Sequence, residues 1–272
     1  MVTQEQRRRQ LAREKFLRQQ QRRTAARRKA NVRNSVIASV LGVIVVGSVL
    51  SYATGVFKND DSKSNASAEV TPSATPSKAA DPCEKAAEGA VKSLSWKKEP
   101  AMTIDKSAKY EMTLATTCGD IGIALKTSAA PHTVNSFNFL ASKGYFDHTK
   151  CHRLTTNGIY VLQCGDPKGT GMGGPGYTIP DENLKDKTLK NNIYPAGTIA
   201  MANTGQAHTG GSQFFLVYQD SQLPPSYTPF GTVSASGMKV LKKIAAAGEA
   251  TGQGDGAPNA TVVINKATVT KS

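Results

Sequence analysis

Cysteine and histidine are scarce in this chain, with four of each among 272 residues. The cysteines, at positions 83, 118, 151 and 164, form no CxxC pair, and no histidine spacing matches a metal site, so no metal or other cofactor is indicated. No serine, cysteine and acid combination gives His152 a place in a catalytic triad, and His208 lies in a Gly/Thr/Asn/Gln-rich stretch without a second ligand. The carboxylates are scattered; Asp181 and Glu182 look like turn residues. Nucleophilic hydrolysis and redox chemistry therefore lack their residues. No repeat of fixed period is visible, which removes solenoids and propellers. Two further absences are local: residues 1–34 hold no proline or glycine, and residues 35–57 hold no charge.

Charge is unevenly placed. Of a formal net charge of +14, residues 1–33 carry 12 Lys+Arg against 2 Asp+Glu, a net of +10. The high pI thus describes a tail. Residues 1–34 favour helix but have too few apolar positions to bury a face. A topology signal in contact with anionic lipid fits best, since an apolar run follows immediately. Nucleic-acid binding lacks interleaved aromatics and a motif and is not expected; a plain solvated helix is the remaining alternative. Residues 35–57 would span about 34 Å as a helix, enough for a hydrocarbon core of about 30 Å. Ser51-Tyr52-Ala53 resembles a signal-peptide cleavage site, but the n-region is long for that and the apolar run continues to Phe57. An uncleaved anchor is expected, with the basic end cytoplasmic and everything after residue 57 outside.

Residues 58–82 are rich in Ser, Thr, Ala and Pro and read as a spacer. Residues 58–108 together form a linker and pre-domain segment, with a short helical piece around 84–94 and the single tryptophan, Trp96, just beyond it. That segment is either linker or an extension packed on the domain. The folded body is placed at 109–272. Alternation over 110–116 and 121–126 around Cys118-Gly119-Asp120 predicts a hairpin. Thr133 is positioned to cap a helix whose stripe is Val134, Phe137, Leu140 and Ala141, with Gly144 past its end. Further strands are expected at 197–202, 214–218, 230–234 and 262–269, and a second helix at 238–247. Many short strands and two separated helices predict a mainly β architecture, a closed antiparallel barrel with a helix over each end.

The stretch that carries the chemistry is 151–166, CHRLTTNGIYVLQCGD, two short strands around Asn157-Gly158. Paired antiparallel, they bring Arg153 and Gln163 to one face beside Tyr160 and Val161. A permanently charged donor among apolar side chains is costly to desolvate, which makes it a functional candidate. The Gly-rich run at 169–174 lacks the strand-before, helix-after context of a phosphate loop and reads as an ordinary turn-rich loop. One cationic donor, the carboxamides of Gln163 and Asn203 and a set of apolar side chains suit a reaction without a nucleophile. Rotation about an X–Pro bond is one, with a barrier near the ~18–20 kcal/mol of amide rotation.

The blocks HRL, VLQCGDPKGTGMGG, IPDEN, GTIAMAN, TGGSQFFLVY and TPFGTV, in that order, resemble the cyclophilin family of peptidyl-prolyl isomerases, most closely its bacterial membrane-anchored, actinobacterial members. The resemblance covers 109 to 270 and implies an eight-stranded antiparallel barrel capped by two helices, acting as a monomer on proline-containing polypeptides. It implies a catalytic role for Arg153 with Gln163 orienting it, a groove lined by Met201, Ala202, Asn203 and Gln213, and a proline pocket made by Phe215, Leu223, Tyr160, Val161 and Tyr227. Tyr160 stands where the family usually has Phe, Val161 where it has Met, and Tyr227 near the usual His. The connection from Arg153 to Tyr160 is about two residues longer than in well-known members. Gln222 falls near a drug-contacting Trp of many eukaryotic members, so weak cyclosporin binding is expected. A peptide-binding chaperone with little turnover is the rival reading. An exported domain permits disulfides. A Cys83–Cys118 bond would tie the pre-domain segment to the first hairpin, whereas Cys151 and Cys164 are expected to face opposite sides of theirs.

Overall fold

The computed structural model describes residues 80–272. The basic tail, the apolar segment 35–57 and most of the spacer lie outside the described residues. Among the described residues no helix is long and apolar enough to cross a membrane.

The chain enters the sheet through β1 (Tyr110–Thr116) and β2 (Gly119–Leu125), whose inward Met112, Leu114, Ile121 and Ile123 are buried. Helix α1 (Pro131–Ser142) follows, then β3 (Thr149–Lys150), β4 (Arg153–Thr155) and β5 (Val161–Cys164). After the long connection come β6 (Ile193–Tyr194), β7 (Thr198–Met201), β8 (Phe214–Val217), β9 (Ser221–Gln222) and β10 (Pro229–Val233). Helix α2 (Ala235–Ala246), β11 (Asp255–Gly256) and β12 (Val263–Lys271) complete the order. Ten strands form one antiparallel sheet in the order β11-β4-β5-β8-β7-β10-β2-β1-β12-β3, while β6 and β9 pair separately. The ladder does not join its two end strands, so the expected closed eight-stranded ring is replaced by a strongly curled sheet. Only Cys151 and His152 separate β3, which pairs with β12, from β4, which pairs with β5.

Inside the curl, Phe137 of α1 has no exposed surface and stacks among Phe146, Phe214 and Phe230, at 5.3, 5.6 and 4.6 Å between ring centroids. The helix begins at Pro131, where a missing N–H costs nothing. Thr133 does not cap it. Glu182, 49 residues on, accepts from His132 N (3.0 Å), Thr133 N (2.9 Å) and Thr133 Oγ1 (2.8 Å), so the orphan donors of the first turn are met from the long connection. Gly144 closes the other end at φ +66°. Ser234 caps α2 by accepting from Gly237 N at 3.1 Å.

Residues 80–108 are fastened to the turn between β1 and β2 and to α1, and no helix forms at 84–94. Cys83 is bonded to Cys118, Glu84 N donates to Thr117 O (2.8 Å), Thr103 N donates to Asn135 Oδ1 (2.9 Å), and Trp96 meets Phe139 edge-on at 5.0 Å. Cys151 is bonded to Cys164, against the expectation from strand alternation. That expectation assumed an unbroken strand. At Cys151 the chain is leaving β12, donating to Val262 O at 3.0 Å, and joins β5 only at His152, which donates to Gln163 O at 3.0 Å. Alternation is lost in this step, and both sulfurs turn into the core, Cys151 4% and Cys164 0% exposed.

Candidate active site

Period-two alternation divides β5, β7 and β8 between two apolar clusters. Leu162, Cys164, Ile199, Met201, Phe214 and Leu216 face the interior, while Val161, Ala200, Phe215 and Val217 form a second cluster on the outer face with Tyr194 and Leu223. Register then sets the site. Arg153 lies opposite Gln163, Gln163 opposite Phe215, and Phe215 opposite Ala200, one row across four strands. The connections around β6 and β9 rise beside this row and enclose a pocket of ≈ 200 Å³.

Phe215, Val161, Leu223, Ile159 and Tyr227 give the pocket its apolar lining; Arg153, Gln163, Ala202 and Asn203 complete it. Tyr227 sets its ring edge against Phe215 at 5.4 Å and 83°. It is held there because Tyr194 Oη donates to Tyr227 O (2.8 Å) and accepts from Tyr227 N (3.2 Å); burial pushes the Tyr194 phenol up to about 12. Asn203 Nδ2 donates to Ser226 O at 2.8 Å, bracing the same wall.

The polar edge is a directed chain. Arg153 Nη1 donates to Gln163 Oε1 (3.2 Å), Gln163 Nε2 to Gln213 Oε1 (2.9 Å), and Gln213 Nε2 to Gly173 O (2.8 Å). On its other side Arg153 donates to both carboxylate oxygens of Asp255, which keeps the guanidinium firmly charged. A second cavity of ≈ 790 Å³ shares Gln163, Ala202 and Asn203 with the first and continues along Gln213, Tyr177 and the glycine-rich loop 171–176. That loop is no phosphate cradle: the N–H groups of Lys168, Thr170 and Gly171 point at the chain's own Asp166, at 2.7–2.9 Å.

Two expected residues lie outside both cavities. Met201 is in the interior core, and Tyr160 packs against Tyr218 at 5.9 Å. Counting back by twos from Gln163 reaches Val161 and then Ile159, so alternation already contained the signal for Ile159. Asp255 had no such signal, being 102 residues from Arg153.

A sequence model described as cyclophilin type peptidyl-prolyl cis-trans isomerase/CLD matches residues 111–269. The chain belongs to the cyclophilin family. Among curated cyclophilin-type isomerases it is 51% identical over 165 residues to the probable peptidyl-prolyl cis-trans isomerase B of Mycobacterium leprae, covering 58% of this chain and 56% of that protein. With the Mycobacterium tuberculosis protein of that name the identity is 50%, over 58% of this chain and 53% of the other. The chain thus spans about half the length of these curated relatives. A crystal structure of a Cryptosporidium parvum cyclophilin type peptidyl-prolyl cis-trans isomerase aligns with TM-score 0.50 and 26% identity, over 60% of this chain and 99% of the other.

Proposed function

We propose that this cyclophilin is a peptidyl-prolyl cis-trans isomerase acting on X–Pro bonds of exported or unfolded polypeptides. The observation that carries the reading is Arg153 on the rim of an apolar pocket floored by Phe215. Twisting the C–N bond breaks amide resonance and turns the proline nitrogen into a hydrogen-bond acceptor. A donor already aimed there stabilises the twisted state over either planar one. The pocket holds the ring while the groove through Ala202, Asn203 and Gln213 takes the flanking backbone, so one side rotates against the other. No proton moves and no cofactor takes part. We propose that residues 149–155 act as one bent strand, which would join β12 to β5 and, leaving β11 outside, make the eight-stranded barrel of the family. Arg153→Ala is expected to lower kcat about a hundredfold in a protease-coupled or exchange-NMR assay of the full chain, with a smaller effect on peptide affinity. Normal turnover in that variant would refute the assignment; peptide binding by a wild-type chain without turnover would favour the chaperone reading.

We also propose that residues 35–57 anchor the chain, with the tail of 1–34 cytoplasmic beside anionic lipid and the isomerase outside. The two disulfides support this, because such bonds persist in oxidising compartments.

A further inference from the structure

We propose that Asp255 is a positioning residue for Arg153: it fixes the plane of the guanidinium that the pocket presents to the X–Pro bond. The inference rests on the isomerase reading. Nε of Arg153 donates to Asp255 Oδ1 at 2.7 Å and Nη2 to Oδ2 at 2.8 Å, the fork geometry that matches a guanidinium to a carboxylate. A single contact, such as that of Nη1 with Gln163 Oε1 at 3.2 Å, leaves the plane free to turn. Three contacts do not. Of the five N–H bonds of the guanidinium three are then committed, which leaves one hydrogen on each terminal nitrogen for the pocket.

Asp255 is delivered by a purpose-shaped loop. Glu249 accepts from Thr251 N (2.6 Å), Thr251 Oγ1 (2.7 Å) and Gly254 N (2.8 Å), which curls residues 249–254. Gly254, at φ +88°, then lies against Asn157, and its carbonyl accepts from Thr156 N at 2.9 Å. Asp255 and Gly256 pair with Thr155 and Leu154 as β11. The tip of the Arg153 hairpin is therefore the dock for the loop that carries the clamp.

Folding stability does not account for this construction. The Arg153 and Asp255 side chains are 37% and 57% exposed, and an ion pair so open to water contributes little to stability. Orientation is what the pair supplies. The twisted amide develops a directional lone pair on nitrogen without a full charge, so the aim of the donor matters more than its net charge.

The test compares Asp255→Asn, Asp255→Glu, Arg153→Ala and the Asp255→Asn/Arg153→Ala double variant in the full chain. Asp255→Asn is expected to lower kcat about tenfold with KM within about twofold, and Asp255→Glu to restore most of the loss. In the Arg153→Ala background Asp255→Asn should change kcat by less than about twofold, because its effect passes through the arginine. A wild-type kcat in Asp255→Asn, an equal loss in the Arg153→Ala background, or a loss that tracks a fall in thermal midpoint would each overturn the proposal. The Arg153 Nε–Hε NMR signal gives a readout independent of turnover: it should be resolved in the wild type and shift or broaden in Asp255→Asn. If the wild type shows no turnover the isomerase reading falls, and the clamp stands or falls on that signal alone.

Discussion

Individual side chains at this site do what their strand parity dictates. Gln163, Val161 and Ile159 share the outer face, so the hairpin contributes Ile159 to the pocket and sends Tyr160 to pack on Tyr218. Parity also puts Ala200 and Ala202 outward and Met201 inward. The hairpin reading set Tyr160 beside Arg153 in the proline pocket and the family resemblance set Met201 in the groove; the pleat turns both away from the two cavities. The two hairpin residues can be told apart. Ile159→Ala should raise KM for a proline peptide roughly three- to tenfold by removing apolar contact, whereas Tyr160→Phe should leave kcat/KM within about twofold. Steady-state kinetics of the two variants would check this, and the opposite ranking would return Tyr160 to the pocket.

At the level of elements, acidic side chains buried in loops do much of the shaping. Asp166 gathers the glycine-rich loop, leaving no room for a Cβ at Gly173, and Asp186 gathers Lys126 Nζ (2.6 Å), Thr188 and Asn183. Burial works against both charges, but the backbone donors at Asp166, and Lys126 with its neighbours at Asp186, outweigh it and hold both carboxyls below the usual carboxylate range. His152 behaves in the opposite sense: burial lowers its pKa, only partly offset by Asp166, and neither ring nitrogen has a partner among the described residues. The signs give two windows. As pH falls below about 6.5 the unfolded chain protonates its histidine before the native one does, so stability declines. Below about pH 4 the unfolded carboxyls protonate before native Asp166 and Asp186, and stability declines further. Urea midpoints measured across pH should show both steps, with His152→Phe flattening the first and Asp166→Asn the second. A midpoint constant down to about pH 4 would contradict the His152 step.

For the whole molecule, the described body begins well before the family match. Residues 80–108 are fastened at Cys83, Glu84, Trp96 and Thr103, and Trp96 N donates to Pro175 O at 2.8 Å, directly behind the wall of the larger cavity. In whole cells this body is expected to be cleaved by external protease and the basic tail protected, with both disulfides intact in a non-reducing peptide map. Cleavage confined to lysed cells would reverse the proposed topology. Alternation and helical periodicity by themselves determined both helices of the described residues, most of the strands and the Arg153–Gln163 pairing, while short blocks of sequence carried the resemblance to the cyclophilins. Tertiary structure decided the rest. Glu182 caps a helix 49 residues away, Cys151 meets Cys164 only because the chain changes partners between β3 and β4, and Asp255 reaches Arg153 from 102 residues downstream. Sequence patterns record which face a side chain takes within its own element; they do not record which distant loop is folded against that face, since closing the intervening chain is decided by the packing of the whole.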